Sequence, residues 1–262
     1  MSDILNPDIL GIQIFLAIII LAFICELVDS TLGMGYGTTL TPVLMLFGFG
    51  PLSIVPCVLL SELITGIAAG LAHHKAGNVS FKRGSIHLKI ALVLAACSIV
   101  GATLAVFIAI NIPKLWLDAY IGLMVLGMGT IIVLTLNRDF SFSWKKIVGL
   151  GSIAAFNKGM SGGGYGPVVT GGQILSGVKG NNAVGITSLA EGLTCIVGVI
   201  VFVVSPKLID WSLAPPLIIG ASISVPFSAL IVKKLPTKAL KISIAIITLI
   251  LGGVTLIKVL YF

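Results

Sequence analysis

Long stretches without any charge limit what this chain can fold into more than any other feature. About 20 apolar residues cross the hydrocarbon of a bilayer as a helix. Only 10% of the residues are charged, against roughly 25% in a soluble domain. A water-soluble globule, a disordered chain and a collagen-like chain are therefore excluded, and the sequence predicts an all-α polytopic membrane protein. The seven longest charge-free stretches cover residues 9–25, 30–61, 90–113, 119–137, 159–178, 211–232 and 242–257.

The breaks between these stretches predict ten helices joined by short loops. Two segments, 37–49 and 166–178, are too short to cross a bilayer comfortably, and glycines bound both. Each is predicted to be a half-helix or part of a broken helix, which gives eight to ten spans. Asp3 and Asp8 precede the first stretch without a basic segment, so we expect the first helix to be retained and not cleaved as a signal peptide. The predicted helices are 9–31, 37–49, 51–73, 85–109, 114–136, 146–160, 166–178, 181–204, 212–232 and 238–261.

The chain overlays itself when it is shifted by 129 residues. Gly-Met-Gly-Tyr-Gly at 33–37 falls on Gly-Gly-Gly-Tyr-Gly at 162–166, and Glu62 falls on Glu191. The glutamate match is informative because the chain holds only three Glu. We therefore predict two repeats of about five helices each. The first repeat, a cytoplasmic linker and the second repeat are expected at residues 1–136, 137–145 and 146–262.

Basic residues predict that the two repeats have opposite orientations. Lys and Arg concentrate in cytoplasmic loops of membrane proteins, whereas the loops near Asn111 and Asp210 are poor in charge and are expected outside. The N-terminus is then external, the first repeat starts outside and the second starts inside. Inverted repeats with broken helices are typical of secondary transporters. The basic clusters are Lys75, Lys82, Arg83 and Lys89; Arg138, Lys145 and Lys146; and Lys233, Lys234, Lys238 and Lys241.

The paired glycine-rich segments are the first candidate site. Glycine admits a positive φ and a close approach of the main chain to a ligand, and an unwound chain before a short helix leaves free N–H groups and a positive dipole end. We expect these groups to bind an anion, with tyrosines to orient it. The alternative is that the glycines only allow helices to pack closely. The expected substrate-binding residues are Gly33, Gly35, Tyr36, Gly37, Gly162, Gly163, Gly164, Tyr165, Gly166, Thr187, Ser188 and Lys158.

The acidic residues inside the spans are the second candidate site. Glu62 and Glu191 lie near the bilayer midplane, where an ionised carboxylate costs several kcal/mol unless a partner is present. They are predicted to carry protons together with Glu26 and Asp29. The alternative is a permanently protonated Glu that makes one interhelical hydrogen bond.

Lys158 leaves three interpretations open. It could hold an anion, pair with Asp29 or Glu26, or extend to the external surface. The tandem His73-His74 is expected to be a solvated loop end. The four cysteines are expected to be packing residues that form no disulfide and bind no metal; they are Cys25, Cys57, Cys97 and Cys195. The alternative is that Cys57 is reactive and handles sulfur.

Several of these segments resemble a known family. The stretch 28–42, the stretches 161–167 and 183–188 with Glu191, and the loop 73–79 resemble conserved blocks of the sulfite exporter TauE/SafE family, also called the 4-toluene sulfonate uptake permeases. The resemblance implies a multi-pass carrier in a bacterial or archaeal plasma membrane. It also implies substrates such as sulfite, sulfonates and sulfoacetate.

The expected function is therefore a secondary transporter of small sulfur-containing or organic anions, coupled to protons by alternating access. An ion channel or facilitative anion pore is the alternative. An enzyme is not expected, since no metal-ligand or nucleophile motif is found, and no cofactor is implied. The expected partners are a small anion, protons, the lipid bilayer and a second copy in a homodimer, with no nucleic acid.

Overall fold

Ten α-helices and their turns make up the regular structure of the described residues. The computed structural model describes residues 7–134, 143–175, 178, 180–204, 209–232 and 237–261, so part of the predicted linker and the basic residues Arg138, Lys233 and Lys234 lie outside the described residues. The helices are α1 Pro7–Leu32, α2 Tyr36–Leu46, α3 Pro51–Lys75, α4 Ile86–Asn111, α5 Lys114–Leu134, α6 Trp144–Ser161, α7 Tyr165–Leu175, α8 Gly180–Val204, α9 Ala214–Ile231 and α10 Thr237–Tyr261.

The helix ends lie within about three residues of the predicted ones, and local chemistry accounts for several of them. Pro51 occupies the first turn of α3, where its missing N–H costs nothing. The Ser85 hydroxyl caps α4 by accepting a hydrogen bond from the N–H of Leu88 at 3.2 Å. Gly162 ends α6 with φ 72°, a left-handed conformation that glycine adopts without strain. The all-α prediction is confirmed.

Six of these helices are long and apolar enough to cross a membrane. They are Gly11–Leu32, Pro51–Lys75, Ile86–Asn111, Lys114–Ile131, Gly180–Val204 and Ala214–Ile231. Helices α2 and α7 have 11 residues each, which is about 17 Å of helix and too short for a hydrocarbon core of about 30 Å. Large apolar side chains such as Ile20, Phe107 and Leu230 face outward, while many polar ones are buried. The protein is therefore a multi-pass membrane protein.

The helices pack reciprocally between the two halves of the chain. In the 129-residue shift, α1 to α5 correspond to α6 to α10. Helix α1 packs along α9, and its counterpart α6 packs along α4, the counterpart of α9. In the same way, α3 packs on α9 and its counterpart α8 packs on α4. Helices α3 and α8 pack on each other, as do α5 and α10. Such exchange of partners is the contact pattern of a self-complementary, two-fold arrangement. The opposite orientation of the halves in the membrane stays a prediction.

Both glycine-rich segments interrupt the helical path, as predicted. Helix α1 ends at Leu32 and α2 begins at Tyr36; helix α6 ends at Ser161 and α7 begins at Tyr165. Four glycines between them have positive φ, namely Gly33, Gly35, Gly162 and Gly164. The main chain turns there into the short helices α2 and α7, so each half contains one broken helix.

Candidate functional site

The two helix breaks meet inside the molecule, main chain against main chain. A side chain on Gly37 would overlap the carbonyl group of Gly162, and one on Gly166 would overlap that of Gly33. A Cβ on Gly163 would lie 2.6 Å from the N of Thr38. This close packing is what the alternative interpretation of the glycines expects. It makes the two halves touch where each of them is unwound.

Several polar groups of the breaks are already bonded to protein. The N–H of Gly164 donates to Thr38 Oγ1 at 2.9 Å, and the N–H of Gly163 donates to Ser161 Oγ at 3.1 Å. The N–H of Tyr36 donates to Asp29 Oδ1 at 3.3 Å. The expectation that these amides are free is therefore wrong for this conformation. Their hydroxyl and carboxyl partners could not be read from the glycine motif itself.

The tyrosines of the breaks connect them to α3 and α8. Tyr36 and Tyr165 are both fully buried. The Tyr36 hydroxyl lies 2.9 Å from Ser61 Oγ, and the Thr194 hydroxyl donates to that of Tyr165 at 3.3 Å. Each tyrosine thus contacts the helix that carries the glutamate of its own half.

The centre of the site is an ion cluster around Lys158. This lysine is 1% exposed, so the interpretation that it extends to the external surface is wrong. Its Nζ donates to Glu191 Oε1 at 2.7 Å and contacts the carboxylate of Glu62. The predicted partners, Asp29 and Glu26, are not the ones it contacts. Lys158 instead joins two glutamates that belong to different halves of the chain.

Two more acids lie beside this pair, and all four are buried. Carboxylate oxygens of Asp29, Glu62 and Glu191 lie within 4.8 Å of one another. Glu26 accepts a hydrogen bond from the Ser30 hydroxyl at 2.5 Å. Its second oxygen, and Oε1 of Glu62, have no hydrogen-bond partner among the described residues. The structure therefore brings together all four acids predicted to carry protons.

The charges of this cluster do not balance. The cluster holds four buried carboxylates and one ammonium group, since Lys158 is the single fully buried lysine in the described part of the chain. Uncompensated charge in a membrane interior costs several kcal/mol per group. The cluster therefore needs further positive charge, from protons or from a bound cation.

The two predicted hydroxyl residues have different places. Ser188 lines a small cavity together with Glu26, Asp29, Glu62 and Glu191. Thr187 turns instead toward α7, where its Oγ1 accepts a hydrogen bond from Gln173 Nε2 at 2.9 Å. Ser188 thus joins the ion cluster and Thr187 lies outside it. Gln173 was not predicted to be a site residue. Its amide in the charge-free stretch 159–178 is the sequence feature that could have indicated it.

His73 is not the solvated loop end that the sequence suggested. It is fully buried, and its Nδ1 accepts a hydrogen bond from the Asn78 amide at 3.0 Å. Its Nε2–H then donates to the Ser30 carbonyl at 2.8 Å. His73 follows Glu62 by 11 residues, three helical turns along the same face of α3. That spacing was the available signal that His73 faces the protein interior, on the same side of α3 as Glu62.

The cysteines lie mostly inside the protein. All four are free thiols; Cys25, Cys57 and Cys195 are buried, and Cys97 is half-buried. The Cys57 thiol donates a weak hydrogen bond to the Asp210 carbonyl at 3.3 Å. Their role as packing residues stays a prediction.

Comparison with known proteins gives the same class of molecule. Residues 18–255 match the family described as Sulfite exporter TauE/SafE. The chain is 28% identical over 258 residues to a protein of Bacillus subtilis (strain 168) named probable membrane transporter protein YtnM, covering 92% of this chain and 83% of that protein. No solved structure matches. Since the family match spans nearly the whole chain, this membrane transporter belongs to the sulfite exporter TauE/SafE family.

Proposed function

We propose that this chain is a secondary transporter that moves small sulfur-containing or organic anions across the plasma membrane, coupled to protons by alternating access. One observation carries the proposal. A fully buried lysine in the last turn of α6, just before one helix break, is held between two glutamates from opposite halves of the chain. The family match supports the substrate class, with sulfite as its first candidate.

Lys158 is the proposed anchor for the anion. An anion that enters a membrane protein needs a positive partner out of water, and Lys158 is the buried lysine that the described residues offer. Short helices α2 and α7 begin at Tyr36 and Tyr165, both pack on α6, which carries Lys158, and helix N-termini favour negative charge. When the breaks separate, the amides of Gly163 and Gly164 exchange their internal bonds for the anion.

Glu62 and Glu191 are the proposed proton carriers, because they compete with the anion for Lys158. An anion 4 Å from an ionised glutamate is repelled by about 4 kcal/mol at an effective dielectric of 20. Protonation of one glutamate removes that repulsion and releases one bond to Lys158. Anion and proton are therefore bound together, and loss of the proton on the other side returns Lys158 to its glutamates.

The test is anion uptake by the full chain in proteoliposomes, with ³⁵S-labelled sulfite as the probe and sulfoacetate and acetate as competitors. Lys158→Gln is expected to abolish uptake. Lys114→Gln removes an exposed lysine outside the cluster and is expected to retain it. Equal uptake by both variants would rule out Lys158 as the anchor.

Proton coupling has its own measurement. Glu62→Gln and Glu191→Gln each remove one titratable group while keeping the side-chain shape. We expect the pH dependence of sulfite uptake to flatten in each variant. If both variants keep the pH dependence of the native chain, the proton role of these glutamates is wrong.

A further inference from the structure

The two halves differ in charge at one equivalent position of the ion cluster. Helices α1 and α6 correspond to each other, and both end at a glycine break. In the last turn of α6 stands Lys158, whereas the equivalent residue in the last turn of α1 is Asp29. A helix C-terminus carries partial negative charge and favours a cation. Helix α6 therefore ends on a built-in cation, and α1 ends on an acid that adds to the unfavourable charge.

A small cavity lies on the α1 side of the cluster. Glu26, Asp29, Glu62, Ser188 and Glu191 all line it. Its room of about 10 Å³ is at the lower limit for one water molecule. Two of the oxygens at this place, Glu26 Oε2 and Glu62 Oε1, are buried and have no hydrogen-bond partner among the described residues. The cavity thus has room for one ion or molecule of about the size of water, is lined by oxygen ligands and carries unbalanced negative charge.

The geometry points to a sodium site in this cavity, formed by the carboxylates of Asp29, Glu62 and Glu191. The ion places a positive charge at the C-terminal end of α1, as the Lys158 ammonium does at the C-terminal end of α6. Ends of broken helices are places where transporters bind Na⁺. This inference rests on the proposed function, to which it adds a second coupling ion.

Size and chemistry favour a monovalent cation such as Na⁺ over the common divalent cations. All the side-chain ligands are oxygen atoms, which suit hard cations. Mg²⁺ keeps several waters when it binds, and the cavity has no room for them. Zn²⁺ prefers sulfur and nitrogen ligands. A second positive charge near Lys158 is repelled least when the ion is monovalent.

Na⁺ and Lys158 share the same two glutamates. When Na⁺ draws Glu62 and Glu191 toward Asp29, it weakens their hold on Lys158, which becomes free to bind an anion. Protons bind to the same oxygens and therefore compete with Na⁺. Sodium binding is expected to weaken as the pH falls.

The test measures sodium binding to the purified full chain, without any anion substrate. The thermal midpoint and ²²Na⁺ binding are followed as NaCl replaces choline chloride at constant ionic strength. We expect a saturable rise of the midpoint with Na⁺ and none with K⁺. Asp29→Asn is expected to weaken Na⁺ binding at least tenfold. Asp118→Asn, which changes an acid outside the cluster, is expected to leave it unchanged.

A second variant tests the equivalence of Asp29 and Lys158 directly. Asp29→Lys places a built-in cation at the end of α1, and we expect its thermal midpoint to be independent of Na⁺. An equal response to Na⁺, K⁺ and choline in the native chain, or Na⁺ binding that survives in Asp29→Asn, would overturn the site. Either result would leave the proposed sulfite transport standing. Conversely, a native chain that binds Na⁺ but takes up no sulfite would refute the proposed function alone.

Discussion

Lys158 is held by two carboxylates. These ion pairs stabilise the fold, whereas the proposed anion binding requires Lys158 to be released from at least one of them. Removing one partner of a buried ion pair leaves an uncompensated charge and costs about 3–5 kcal/mol. By contrast, replacing all the charges of such a cluster by neutral groups of similar size is often tolerated. A role in folding and a role in anion binding can therefore be separated by neutralising the cluster stepwise.

We predict that Lys158→Gln lowers the free energy of unfolding by about 3–5 kcal/mol, because Glu62 and Glu191 lose their shared partner. Adding Glu62→Gln and Glu191→Gln to this variant should recover most of the loss. Unfolding in a mixed detergent, followed by circular dichroism, measures both. Sulfite binding should stay absent in the triple variant, and its return would show that Lys158 matters for folding only.

The close contact between the two helix breaks predicts that a single added methyl group destabilises the protein. A Cβ on Gly37 meets the main chain of Gly162 and Gly163, which cannot move aside as a flexible side chain would. Gly37→Ala should destabilise the protein by about 1–3 kcal/mol through overpacking, and it should lower sulfite uptake.

Gly149→Ala is the matched control for that substitution. Gly149 lies in α6, and nothing lies within 4 Å of an added Cβ. Alanine is the better helix former by about 1 kcal/mol, so this variant should be neutral or slightly more stable. Thermal melting of the two variants side by side measures the difference, and equal melting points would show that the breaks are not tightly packed.

At the level of helices, the crossing of α3 and α8 sets the distance between the two glutamates. A Cβ on Gly192 would lie 2.7 Å from the N of Ile67, and one on Gly66 would lie 2.8 Å from the N of Gly192. Small residues at such a crossing let helices approach closely in membranes. The closeness allows one lysine to contact Glu62 and Glu191 together.

Gly192→Leu should therefore separate α3 from α8 and break one of the two contacts of Lys158. We expect a lower melting temperature and loss of sulfite uptake. Gly127→Leu serves as the control, because Gly127 of α5 has nothing within 4 Å of an added Cβ. Full activity of Gly192→Leu would show that the crossing does not hold the cluster together.

The helices were predictable from the sequence because most of them begin or end within a few residues of a charge, a proline or a glycine. The two glutamates were predictable as well, since a midplane position and a repeat mark them. The partners of Lys158 were not, because they depend on which face of α6 turns toward α3 and α8. The same holds for His73 and for the amides of Gly163 and Gly164, whose partners come from other elements. Periodicity locates a helix, while tertiary packing decides what its polar side chains contact.

On the scale of the whole molecule, the reciprocal packing supports the alternating access proposed above. If the halves are two-fold related, exchanging their conformations produces a second structure with the same kinds of contact. The two forms then differ mainly in which side of the membrane reaches the ion cluster. This requires that the repeats have opposite orientations.

That orientation can be tested with two equivalent positions. Lys82 precedes α4, and Trp211, 129 residues later, precedes α9; both are exposed. The positive-inside rule places Lys82 in the cytoplasm, and inversion then places Trp211 outside. In a chain whose four cysteines are replaced by alanine, we expect a membrane-impermeant maleimide to label Trp211→Cys on intact cells. Lys82→Cys should be labelled only after the cells are permeabilised. Labelling of both from one side would mean parallel repeats, and exchange of the two halves could not then move the site from one face to the other.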